Sequence, residues 1–107
     1  MSTADCMKVL ETASSNDRFR QAGFGVTMTS GIQEMPDVDG LLGAVRDYNW
    51  FTEDNDPHGE HDFGSLMWHS EKVFWKIDYY NRTLNGWEDP TSSECQRVIT
   101  VMLANEY

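Results

Sequence analysis

The apolar positions of this chain fall into blocks with two different periods, and the period assigns the element. Cys6, Val9, Leu10 and Ala13 recur at the i, i+3, i+4, i+7 spacing of one helical face. A first helix is therefore expected, with Ser2 or Thr3 as its N-cap. The face lapses at Ser14-Ser15-Asn16-Asp17, whose side chains compete for backbone hydrogen bonds. Gly23 and Gly25 close the segment after Arg18-Phe19-Arg20. Gly25-Val26-Thr27-Met28-Thr29 reads as a short strand bounded by glycines. Ser30 and Gly31 break it, and residues 32–35 read as a connection, because Pro36 holds its predecessor extended. A second helix opens at Pro36 or Asp37, with Val38, Leu41, Leu42 and Val45 as its apolar stripe and Tyr48 continuing it. Gly40 and Gly43 each weaken it by about 1 kcal/mol relative to Ala and would let it approach a sheet closely.

Between Asn49 and Asp62 periodicity disappears. Asp56-Pro57 and His58-Gly59 are turn signals, so this is a loop of about a dozen residues, a length that usually goes with function. Residues 63–69 and 72–80 read as two strands joined by a turn at Ser70-Glu71. In the second strand Val73, Trp75, Ile77 and Tyr79 share the core face. Phe74, Lys76, Asp78 and Tyr80 form a half-polar face that suits a sheet covered on one side only in part. Asp89-Pro90 reads as N-cap and first turn of a last helix, with Cys95, Val98, Ile99 and Met102 as its face and Leu103 and Tyr107 widening it. The expected order is α-β-α-β-β-α. That is one α+β domain over residues 1–107, with three helices packed on a small antiparallel sheet of about three strands.

Composition changes this picture mainly through charge. A length of 107 residues suits one domain, and 39% hydrophobic content argues against disorder. Eighteen acidic residues against eight basic ones give a net charge of -10. Such a field repels nucleic acid and membrane surfaces and speeds encounter with basic proteins. The basic residues are scattered, with none between Asp47 and Glu71, so no stripe that would track phosphates exists and direct nucleic-acid binding is not expected. No apolar run is long enough to span a bilayer, and no signal-peptide pattern opens the chain. Cys6 and Cys95 match no zinc or redox spacing and sit on expected apolar helix faces, where a thiol packs as a small hydrophobe. A cytoplasmic protein with reduced thiols is expected, in the host cytoplasm if phage-borne.

The chemistry concentrates between Arg46 and Lys72. Seven acidic residues (Asp47, Glu53, Asp54, Asp56, Glu60, Asp62, Glu71) and all three histidines (His58, His61, His69) lie there. Asp54, Asp56, His58 and Gly59 occupy the first, third, fifth and sixth places of a calcium loop, but the twelfth is Ser65 in place of the bidentate Glu, so that reading fails. A looser site on Asp54, Asp56 and Glu60 would suit a divalent cation. His58, His61 and His69 would supply zinc ligands, though without a HExxH helix. No metal and no cofactor is expected. His61 between Glu60 and Asp62, with Asp78 as a partner, has the make-up of an acid–base site. The competing role for His61 is a hydrogen-bonded anchor that ties the loop to the hairpin.

The blocks Asp54-Asn55-Asp56-Pro57-His58-Gly59-Glu60-His61-Asp62-Phe63-Gly64 and Phe74-Trp75-Lys76-Ile77-Asp78-Tyr79-Tyr80 resemble a family of short bacterial proteins known as a domain of unknown function. That family occurs on chromosomes, plasmids and phages, and the resemblance runs from about Asn16 to Tyr107. It implies no activity. At the place of His58 the family more often carries an aromatic such as Tyr, whereas His61 matches. By size and acidity the chain is also similar to phage-borne inhibitors of host defence, a likeness of class and not of motif.

Trp50, Phe51, Trp68, Trp87 and the second strand's Tyr79 and Tyr80 are more large aromatics than a small core needs, and aromatics in an acidic rim suit a binding patch for a basic partner. The expected function is therefore an acidic protein-binding inhibitor, anti-CRISPR or antirestriction in type. It would cover a basic nucleic-acid-binding or recruitment surface of a bacterial defence complex through Trp50, Glu53, Asp54, Asp56, Glu60 and Asp62. The alternative is a small metal-dependent or acid–base enzyme built on His61, Asp62 and Asp78.

Overall fold

A computed structural model describes residues 3–107. In chain order the elements are α1 (Thr3–Ala22), β1 (Thr27–Met28), α2 (Ser30–Gln33), α3 (Val38–Arg46), β2 (Phe63–Trp68), β3 (Glu71–Tyr80), β4 (Gln96–Leu103) and a closing 3₁₀ turn (Ala104–Glu106). The fold is α+β, with one four-stranded sheet ordered β1-β4-β3-β2. β3 pairs antiparallel with both neighbours while β1 runs parallel to β4, so the sheet is mixed and not purely antiparallel.

The hairpin forms because its two runs alternate with period two. Val73 and Trp75 are fully buried and Ile77 nearly so, as the alternation requires. Trp68 faces Glu71, so the turn residues are His69 and Ser70, one place earlier than the sequence suggests. Both have positive φ (47° and 67°), the geometry of a type I′ turn whose twist matches the strands. α3 also follows its stripe, with Leu41 and Val45 in the core. The Asp37 side chain caps it by accepting from the Gly40 N–H at 3.0 Å. A Cβ on Gly40 would collide with that carboxylate, so Gly40 serves the cap and not an approach to the sheet.

Three expectations need correction. The segment after Asp89 is a strand and not a helix: β4 pairs with β3 from Val73↔Leu103 to Tyr80↔Gln96. Val98-Ile99-Thr100-Val101 is a β-branched run, stiff in a helix and well packed on a pleated surface. Asp89 does cap, but it caps a turn, accepting from the Thr91 N–H at 2.8 Å and the Thr91 hydroxyl at 2.7 Å. Residues 30–33 form the short helix α2, which places Ile32 in the core, where a connection was expected. Finally, α1 continues through Ser14–Asp17 and, of its apolar stripe, buries Ala13 alone. Leu10 is 69% exposed and Cys6 is exposed, while Thr12, Ala13, Asn16 and Arg20 face inward. The expected Ser2 cap lies outside the described residues, and Cys95 falls in the turn that leads into β4.

Ile32, Leu41, Val45 and Tyr48 pack against Val73, Trp75, Ile77, Ile99 and Val101 to form the core on one sheet face. On the opposite face, which carries Phe63, Phe74, Lys76 and Asp78, Tyr107 sets its ring edge-on to the two phenylalanines. No helix among the described residues is long and apolar enough to cross a membrane.

Candidate functional site: a braced acidic loop

The loop between α3 and β2 is held by its own polar side chains. Asn55 accepts from the Thr52 N–H at 2.8 Å and donates to the Trp50 carbonyl at 2.9 Å. The Asp56 N–H reaches the Thr52 carbonyl at 2.8 Å, and the Gly59 N–H reaches Asp56 at 3.0 Å. These bonds turn a segment without periodicity into a fixed scaffold. Its outer side presents Trp50, 67% exposed, with Glu53 and Asp54 also exposed.

The inner side of the loop docks on α1. Asp56 is only 9% exposed and accepts from the His61 N–H at 3.3 Å. His61 adopts a left-handed backbone (φ 57°), an uncommon state for a residue with a Cβ. That turn aims its ring at α1. Nδ1 lies 3.0 Å from both carboxylate oxygens of Asp17, Nε2 lies 3.7 Å from Asp56, and the ring stacks on Phe51 at 3.9 Å. Asp17 also takes a bond from Arg20 at 3.1 Å. Arg20 is 2% exposed, donates to the Tyr48 carbonyl at 2.9 Å, and lays its guanidinium 5.1 Å from the Trp75 ring. Phe51, His61, Asp17, Arg20 and Arg46 line a surface cavity of about 370 Å³.

A second network gathers Glu60 and Asp62, the two sequence neighbours of His61. Asn16, fully buried, donates to the Glu60 carbonyl at 2.9 Å and to the Tyr79 hydroxyl at 2.8 Å, and accepts from Arg97 Nε at 2.6 Å. The Tyr79 hydroxyl in turn donates to Glu60 at 3.2 Å and lies 3.5 Å from Asp62. Burial pushes the Tyr79 phenol well above its ordinary range. Burial, followed by repulsion from Glu60 and Asp56, also raises Asp62 above the usual carboxylate value.

That shift has a measurable sign. A carboxyl whose folded pKa is raised holds its proton better in the native state, so stability falls as pH climbs from the ordinary value through the raised one. Asp62→Asn is expected to flatten this decline. The variant should melt above the wild type at neutral pH, by less than about 1 kcal/mol because the group is half exposed, and match it near pH 3. Melting curves across that range check it.

The structure thus divides the residues singled out from sequence. Trp50, Glu53 and Asp54 form an outer surface. Asp56, Glu60 and Asp62 turn inward into the bracing networks. His61 is tied to α1 and not to the hairpin. Asp78 pairs with Lys76 at 2.8 Å on the other sheet face and takes no part in the His61 constellation. His69 occupies the hairpin turn, away from the other two histidines. Among the described residues no three His, Cys, Asp or Glu side chains converge as metal ligands. Of the surplus aromatics, Phe51 packs against His61 and Trp75, Trp68 donates to the Pro36 carbonyl at 3.2 Å, and Tyr79 joins the Asn16 network. Trp50 and Trp87 stay on the surface. The sequence does not point to Asn16, Asp17, Arg20 or Arg97 as site residues. The signal available was Thr12, Asn16 and Arg20 at i, i+4, i+8, a polar stripe at helical spacing that reads as a solvated face.

The chain matches a protein family described as "Protein of unknown function (DUF3768)" over residues 28–106, and it belongs to that family. No curated protein and no solved structure gives a significant match.

Proposed function

We propose that this family member acts by binding another protein, with Trp50 as the anchor and Glu53 and Asp54 as an acidic rim that selects a basic surface. The observation that carries the reading is a rigid loop holding a large aromatic side chain in solvent. An exposed tryptophan forfeits burial in the free protein, and side-chain bonds to Thr52 and Trp50 fix the loop that displays it. Binding then loses little conformational entropy, and a central aromatic is the commonest hot spot. The concrete form is an inhibitor of a bacterial defence complex, anti-CRISPR or antirestriction in type, that covers a nucleic-acid-binding or recruitment surface. Acidity and the absence of basic residues between Asp47 and Glu71 support that form.

The second reading is acid–base chemistry at His61. The cavity beside His61 and Asp17 favours it. Against it, both ring nitrogens already face carboxylates, which suits a brace better than a base waiting for substrate.

Capture from a bacterial lysate on immobilised protein tests the first reading. The genuine partner is retained by the wild type and lost with Trp50→Ala. For that partner Glu53→Lys/Asp54→Lys should slow association about tenfold or more at low salt, with the difference closing as salt rises. Asp56, being internal, is a poor probe of the rim. Capture that is indifferent to these substitutions and to ionic strength sinks the proposal. The inhibitor form further requires that expressing the chain restores phage plating on a host protected by a CRISPR or restriction system.

A further inference from the structure

β2 is an outer strand, and its outward edge is open. Trp68 faces Glu71 across the two-residue turn, and the Ile77 N–H reaches the Asp62 carbonyl at 2.8 Å. Ladder alternation then assigns the bonds to β3 to Gly64, Leu66 and Trp68. It turns the N–H and C=O groups of Phe63, Ser65 and Met67 outward. Among the described residues no other backbone segment pairs with that edge. Edge strands are normally guarded by a charge, a proline or a bulge. β2 reads Phe-Gly-Ser-Leu-Met-Trp and has none of the first two, in a chain where 24% of residues are charged.

We propose that β2 is a self-pairing edge, through which two copies of this chain join antiparallel about a two-fold axis at Ser65. The outward groups fix the register. Ser65 faces its own copy and Phe63 faces the second copy's Met67, so every outward pair exchanges both of its bonds, about six in all. On the open sheet face this sets Met67, 63% exposed, against a phenylalanine ring, an apolar cross-strand pair. Lys76 sits beside Phe63 and Lys72 beside Met67, so in each such row the lysines stand at the outer ends and no like charges meet at the seam. The occupant is a second copy because the edge is complementary to itself under the two-fold. Assembly closes at the dimer because the sheet's other edge, β1, is two residues long and too short to propagate. This surface is separate from the Trp50 rim. Its salt response is also opposite: two chains of net charge -10 repel, so salt should strengthen the dimer while it weakens attraction to a basic partner.

Sedimentation velocity on the full chain between roughly 5 and 500 µM, a span that brackets small transient interfaces, should show a monomer passing to a dimer, at lower concentration in higher salt. Ser65→Pro should stay monomeric with unchanged circular dichroism, since the N–H it removes serves no bond to β3 and proline is tolerated on edges. In a Cys6→Ser/Cys95→Ser background, Ser65→Cys should oxidise to a linked dimer and Met67→Cys should not. Only Ser65 meets its own copy, at a Cα separation of about 5.5 Å that a disulfide spans. If Ser65→Pro fails to fold, the cysteine pair decides. A wild type that is monomeric throughout overturns the proposal. So does a folded Ser65→Pro that still dimerises, or equal cross-linking at both cysteine positions.

Discussion

Asn16→Ala is expected to lower stability by about 2–4 kcal/mol, although it removes no apolar surface of consequence. Asn16 is fully buried and uses both ends of its amide. The amino group serves the Glu60 carbonyl and the Tyr79 hydroxyl, and the oxygen serves Arg97. Alanine leaves these groups short of a partner in a place water cannot readily reach. Each orphaned group costs about 1–3 kcal/mol, and the charged guanidinium lies at the upper end. Urea unfolding should show an unchanged slope with an earlier midpoint. Asn16→Asp is expected to be no milder, because it keeps the acceptor for Arg97 but sets a carboxylate against the Glu60 carbonyl. An Asn16→Ala/Arg97→Ala double variant should fall short of the sum of the singles by about 1 kcal/mol or more. A single-site loss below about 1 kcal/mol would mean that the network contributes little.

Gly64→Ala is expected to cost about 3 kcal/mol, at or above the usual range for overpacking. A Cβ at Gly64 would stand 2.4 Å from Trp75 Nε1 and 2.6 Å from Cε2. The indole cannot retreat. Trp75 is fully buried, with Tyr48 and Phe51 set edge-on at 5.4 and 6.2 Å and the Arg20 guanidinium 5.1 Å from its ring. Gly64 therefore exists so that the backbone of β2 can lie against the ring. Near-ultraviolet circular dichroism should report the displaced tryptophan alongside the lost stability. Gly64→Ala/Trp75→Phe should recover part of the overpacking term, because the smaller ring vacates the contested space. Gly43→Ala gives the opposite sign. In α3 its Cβ would meet only the Arg46 side chain, at 3.5 Å, so the helix should gain up to about 1 kcal/mol.

The same chemistry thus has opposite consequences at two glycines, and sequence alone distinguishes them poorly. The hairpin and α3 were legible because their signals are local. Val73, Trp75 and Ile77 alternate with polar neighbours, and Val38, Leu41, Leu42 and Val45 repeat at helical spacing behind an Asp cap. The acidic loop was equally legible from its charge and turn residues, and Trp50, Glu53 and Asp54 do face solvent.

β4 reads as a helix from sequence because Cys95, Val98, Ile99 and Met102 satisfy the helical period, while the run they sit in also suits a strand. Only the ladder to β3 chooses between them. The inward residues of the loop and the polar face of α1 lay further out of reach. Asn16 finds Glu60 44 residues away, Tyr79 63 away and Arg97 81 away, and Asp17 meets His61 across 44. What the sequence by itself determined is the set of elements whose burial repeats within a few residues, together with the acidic loop as the place of interest. What the tertiary structure decided is which of those acidic and polar groups are surface and which are braces. A buried polar side chain is stable only when its partners arrive with it, and for Asn16 every one of them comes from 44 or more residues away.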